Sequence, residues 1–130
     1  MSTILIIDDN RDYAESLEIA LQARSYQVMW APDSITGMEI IKSELPDLII
    51  LDVIMSSIGE GILLAYKLKS DPRYAFIPII MLTGITQRTG LRFDPKDEEE
   101  VLPVECYMEK SEGLNALCYR VERILGRKKH

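Results

Sequence analysis

Several side chains suited to acid, metal or phosphoryl chemistry each follow an apolar run. Ile4 to Ile7 pass straight into Asp8 and Asp9, Asp52 ends "LIILD", Thr83 follows "IPIIML", and Lys110 follows "CYME". Adjacent carboxylates at the edge of a low-dielectric core repel each other. Taken singly, each group also fits a plain role. The paired acids can introduce a helix, Asp52 and Thr83 can lead into turns, and Lys110 can be a solvated lysine. Taken together, they suit one reaction. A divalent cation relieves three crowded carboxylates, and magnesium is commonly held by one or two carboxylates plus phosphate oxygens. One carboxylate can then act as nucleophile, as aspartyl-phosphate chemistry requires. The oxygens of a transferring phosphoryl group call for the metal, an ammonium and a hydroxyl. Lys110 and Thr83 match the last two.

These groups need a scaffold that gathers them. Strand-like runs recur at Thr3–Ile7, Tyr26–Trp30, Asp47–Asp52, Ile77–Leu82 and Val104–Met108. Most are almost continuously apolar, as strands covered on both faces are. Helical patterns alternate with them. Asn10 caps a first helix with Ala14, Leu17 and Leu21 on one face. Asp33 caps a second, with Ile35, Met38, Ile41 and Leu45 expected to point inward and Pro46 to end it. A third runs from Glu60 to Lys69 with Ile62, Leu63, Tyr66 and Leu68 apolar, and a last spans Leu114 to Leu125 and is expected to stop at Gly126. Strands alternating with helices imply βαβ units, hence an α/β fold with a doubly wound parallel sheet. In such sheets chemistry collects at the carboxyl ends of the strands, where Asp8, Asp9, Asp52, Thr83 and Lys110 all fall.

The 130 residues suit one domain, expected over residues 1–126 with a basic tail at 127–130. Charged residues make up 28% and hydrophobic ones 47%, an ordinary balance for a globular chain rather than a disordered one. No apolar run reaches the roughly 18 residues of a membrane span, and "MSTILIIDDN" lacks the basic start of a signal peptide. A cytoplasmic location is expected, with Cys106 and Cys118 reduced. The net charge of −6 disfavours direct nucleic-acid binding.

The pieces "ILIIDDN", "DLIILDVIM", "IPIIMLTG" and "CYMEK", in this order and spacing, resemble the response-regulator receiver domain of two-component signalling. The resemblance implies a flavodoxin-like five-stranded sheet of order 2-1-3-4-5. It implies Asp52 as the phosphoacceptor, with Mg2+ held by Asp8, Asp9, Asp52 and the Ile54 carbonyl. Thr83 becomes the switch hydroxyl, Lys110 the phosphoryl partner, and Tyr107 the aromatic switch. A packed tyrosine with a surface hydroxyl is the plainer alternative for Tyr107. A sensor histidine kinase or phosphotransfer protein would be the donor. The protein would not be an enzyme beyond its own Mg2+-dependent phosphorylation and dephosphorylation. It would signal through an output partner or as a homodimer, without nucleic acid or membrane. Other functions stay open: a phosphorylation-independent interaction module on the same fold, or a receiver excised from a larger regulator. A flavin carrier is disfavoured, because "DDNRDYAES" would repel a flavin phosphate.

The chain departs from the family in places. Ser56 stands where proline is usual. Ser111 follows Lys110 where the family has a cis-proline; a cis bond before serine costs about 3 kcal/mol, so a trans bond is expected. The segment from Thr83 to Lys110 is longer than usual. Gly90, Pro95 and Pro103 interrupt it, so the family's fourth helix is expected to be short or irregular, a brief helix near residues 95–101 or a solvated loop. Such a segment has low local stability, so phosphorylation of Asp52, acting through Thr83 and Tyr107, is expected to change the order of residues 85–103 more than any other segment. Ile54 and Ile85 would flank the hydrolytic water without orienting it, which implies a long-lived phosphoryl group.

Overall fold

The computed structural model describes residues 1–53, 59–83 and 104–128. Five strands form one parallel sheet: β1 (Thr3–Ile7), β2 (Gln27–Ala31), β3 (Leu48–Asp52), β4 (Ile79–Thr83) and β5 (Cys106–Glu109). Their order is β2-β1-β3-β4-β5. Among the described residues the helices are α1 (Arg11–Gln22), α2 (Ser34–Glu44), α3 (Glu60–Lys69) and α4 (Leu114–Lys128), with a 3-10 turn at Lys110–Glu112 before α4. Ile54, Ser56, Ile85 and the whole of 85–103 lie outside the described residues, and with them the expectations about the fourth helix, the Ile54 carbonyl and the hydrolytic water.

Alternation along the strands explains the layers. Ile4, Ile6, Leu48, Ile50, Ile80 and Leu82 pack against α1 and α4 through Leu17, Leu21, Leu117, Val121 and Leu125. The intervening residues Leu5, Ile7, Ile49, Leu51, Ile79 and Met81 pack against α2 and α3 through Ile41, Leu64, Ala65 and Leu68. Successive strand side chains point to opposite faces. A sheet covered on both sides therefore needs the unbroken apolar runs seen in β1, β3 and β4. The caps form as the sequence indicates: Asn10 Oδ1 accepts from the Tyr13 N–H, and Asp33 Oδ1 from the Thr36 N–H at 2.7 Å.

Some expectations change. The observed strands β2 and β3 start one residue later than the apolar runs, and β4 and β5 two residues later. In β4, Pro78 ends the preceding turn and its carbonyl accepts from the Ile49 N–H. In α2 the inward residues include Gly37 and Ile41, whereas Ile35 is 74% and Leu45 48% exposed. Leu45 adopts the left-handed conformation (φ 47°) that ends the helix, and this turns its side chain outward. Gly126 does not stop α4, which continues to Lys128. Among the described residues no peptide bond is cis, so the Lys110–Ser111 bond is trans as expected.

Candidate functional site

The four strand ends converge as the topology requires. Asp8 follows β1, Asp52 ends β3, Thr83 ends β4, and Lys110 opens the turn after β5. Asp8, Asp52 and Thr83 are buried, each no more than 2% exposed, while Asp9 stands exposed at the rim. Asp8, Asp9 and Asp52 each bring one carboxylate oxygen within 4.8 Å of the others. At that spacing, two full charges repel by roughly 3 kcal/mol in a medium of effective dielectric near 20.

Lys110 offsets part of this repulsion. Its Nζ lies 2.9 Å from Asp8 Oδ2 and 3.4 Å from Asp52 Oδ2. One ammonium against three carboxylates leaves two negative charges, which a divalent cation would balance. Three clustered oxygen donors, one of them on the exposed Asp9, match the few protein ligands and retained waters that Mg2+ prefers. The residues present therefore fit the ion.

Two residues that sequence reasoning missed complete the surroundings. The ring of Tyr13, in the first turn of α1, lies under Lys110 with Nζ 4.5 Å from its centroid, a cation–π contact. Burial, then the charges of Asp8 and Asp52, push the Tyr13 hydroxyl up to about 12, so it stays neutral beside the acids. The Trp30 indole N–H, from β2, donates to the Asp8 carbonyl at 2.7 Å. A further constraint comes from Gly61. A Cβ there would collide with the Asp52 backbone oxygen, so only glycine lets the first turn of α3 seat against the end of β3.

Tyr107 lies in β5 opposite Met81, and its side chain, hydroxyl included, is buried. That excludes the plainer expectation of a surface hydroxyl. The β4–β5 register sets Tyr107 against Met81 and Thr83 against Glu109. Thr83, two residues after Met81, thus shares a sheet face with Tyr107.

The sequence profile of the response regulator receiver domain matches residues 4–92. The response regulator PleD of Caulobacter vibrioides is 36% identical over 85 residues, covering 65% of this chain and 18% of PleD. The response regulator MprA of Mycobacterium ulcerans is 32% identical over 130 residues, covering 97% of this chain and 51% of MprA. The chain thus spans at most about half the length of these curated relatives. Among solved structures, a putative response regulator from Chloroflexus aurantiacus superposes with a TM-score of 0.81 at 30% identity, covering 96% of this chain and 98% of that one.

Proposed function

We propose, for a chain that belongs to the response regulator receiver domain family, that Asp52 accepts a phosphoryl group from a sensor histidine kinase or phosphotransfer protein and that this switches a partner-binding surface. The observation that carries the proposal is Lys110 Nζ set between Asp8 and Asp52, with the Asp9 carboxylate at the same rim.

An Asp52 oxygen attacks phosphorus; the new O–P bond forms as the bond to the donor's imidazole nitrogen breaks. Asp8, Asp9 and Asp52, with the Ile54 carbonyl implied by the family, would hold Mg2+. Bound there, the ion supplies charge neutralisation on the transferring oxygens. Lys110, already beside Asp52, needs only a small side-chain movement to pair with a phosphoryl oxygen. The buried Thr83 hydroxyl donates a further hydrogen bond. A shift of Thr83 would be felt by Tyr107 on the same face of the sheet. That links the chemistry to a surface read by an output protein or domain, in the cytoplasm. Phosphoryl transfer and its slow hydrolysis are events on the protein's own carboxylate and not turnover of a substrate.

The direct test is intact-mass measurement after incubation with acetyl phosphate and Mg2+. The wild type should gain one phosphoryl group and Asp52→Asn none. Stoichiometric labelling of Asp52→Asn would transfer the acceptor role to another residue.

A further inference from the structure

We infer that Trp30 is a positioning residue for the metal site, acting through the Asp8–Asp9 peptide. The inference rests on the proposed role of Asp8 and Asp9 as ligands.

Each polar group of Asp8 has a defined partner. Its N–H donates to the Ala31 carbonyl at 3.0 Å. Its Oδ1 accepts from the Asn10 N–H at 2.8 Å, and its Oδ2 faces Lys110. Its carbonyl accepts from the Trp30 indole at 2.7 Å, a short contact for an N–H donor. That carbonyl belongs to the peptide group joining the two acids. Its plane decides where Asp9 leaves the strand end, and so where the exposed carboxylate stands relative to the buried one. The neighbouring β2 residues Trp30 and Ala31, paired with Ile6 and Ile7, therefore grip Asp8 from both sides of its Cα.

The residue type suits the task. Indole is a donor without an acceptor, so it can hold the Asp8 carbonyl without competing for the N–H groups around it. Its two rigid rings reach from β2 to the end of β1 at little conformational cost. Trp30 is only partly buried and lines a cleft of about 260 Å3 with Arg11, Ala14, Glu15 and Glu18. The rest of the ring packs against the core on the α1 and α4 side of the sheet, which fixes the direction of its N–H. Holding one ligand carboxylate against the other lowers the reorganisation required when the cation binds.

Trp30→Phe keeps an aromatic ring and removes the donor. Isothermal titration with MgCl2 should show a Kd raised about three- to tenfold, the range expected for one net hydrogen bond. Thermal melting in metal-free buffer should show the modest loss that one hydrogen bond costs, and the titration is run well below that midpoint, where the variant is folded. In wild type, Mg2+ should shift the indole N–H resonance, and in Asp9→Asn that shift should be lost. Equal Mg2+ affinity in Trp30→Phe, or an indole resonance indifferent to Mg2+ while calorimetry shows binding, overturns the inference and leaves the acid site standing. Absence of Mg2+ binding to wild type overturns both.

Discussion

At the scale of single residues, the site is a charge balance, and each charge has its own signature when removed. Lys110→Met would leave Asp8 and Asp52 buried without their cation. Stripping one partner from a buried pair costs about 3 kcal/mol. Urea unfolding in metal-free buffer should show that loss, and millimolar Mg2+ should recover part of it; an unchanged midpoint would show that the ammonium compensates nothing. Asp9→Ala should behave oppositely. It removes an exposed repelling charge, so metal-free stability should hold or rise by a few tenths of a kcal/mol while Mg2+ affinity falls. A second pair of residues separates by burial. Cys118 is fully buried, and desolvation pushes its thiol up despite the nearby Arg24 guanidinium. The folded state therefore keeps the Cys118 proton while the unfolded thiol loses it near pH 8.5. Its contribution to stability is present below that pH and is lost as pH rises above it. Native labelling with a thiol reagent should modify the partly exposed Cys106 well before Cys118. The acids, Thr83 and Lys110 were legible in the sequence because each punctuates an apolar run. Tyr13 and Trp30 were not, because an aromatic residue's partner is set by tertiary contact and leaves no local mark.

At the scale of elements, the strands were legible and the inward helix faces only partly so. A strand covered on both sides needs an unbroken apolar run, and few other arrangements produce one. Helix faces are harder to read where glycine occupies the closest approach. In α3 the buried residues are Gly61, Leu64, Ala65 and Leu68, a regular helical stripe whose first member has no side chain to count. In α2 the closest approach is Gly37, where an added Cβ would meet the Ile7 side chain at 2.6 Å. A search for large apolar residues therefore drifts outward to Ile35 and Leu45. The two glycines at the start of α3 should respond differently to alanine. At Gly61 the clash is with the backbone of Asp52, which cannot rotate away, so α3 must move off β3. We expect Gly61→Ala to destabilise by about 2 kcal/mol or more, outweighing the roughly 1 kcal/mol that alanine otherwise gains in a helix. It should also slow phosphorylation of Asp52. At Gly59 nothing lies within 4 Å of a Cβ and φ is −86°, so Gly59→Ala should be neutral or stabilising. Equal effects at the two positions in thermal melts would contradict the packing argument.

At the scale of the whole molecule, the parallel sheet has two chemically different ends. Its carboxyl end gathers Asp8 and Asp52, whose mutual repulsion opposes folding, with Thr83 and with Lys110, which offsets part of it. Its amino end carries polar groups that are mutually satisfied. The Thr3 N–H donates to Asp47 Oδ2, and the Asp47 N–H to the Thr3 carbonyl, which ties the starts of β1 and β3. Glu105 ties β4 to β5: its Oε1 accepts from the Ile79 N–H at 2.8 Å and its N–H donates to the Ile79 carbonyl. Lys69, at the end of α3, donates to Glu105 Oε2 at 2.9 Å and to the carbonyls of Ala75 and Ile77. Lys69 thereby holds the helix, the following turn and two strand starts with one ammonium. That cluster was not legible beforehand, because Lys69 and Glu105 are 36 residues apart and only the strand order brings them together. The two ends should separate in experiment. Lys69→Met removes three hydrogen bonds at a site where the lysine is mostly buried and Glu105 partly exposed. The expected loss is about 2 kcal/mol, between the values for surface and buried pairs. The folded fraction should still bind Mg2+ and take up a phosphoryl group at the wild-type rate, since no site residue moves. Lys110→Met should do the reverse to the chemistry, abolishing or greatly slowing phosphorylation even where Mg2+ restores the fold. If Lys69→Met slowed phosphorylation of fully folded protein, the amino end of the sheet would be coupled to the site, and the division of stability and chemistry between the two ends would fail.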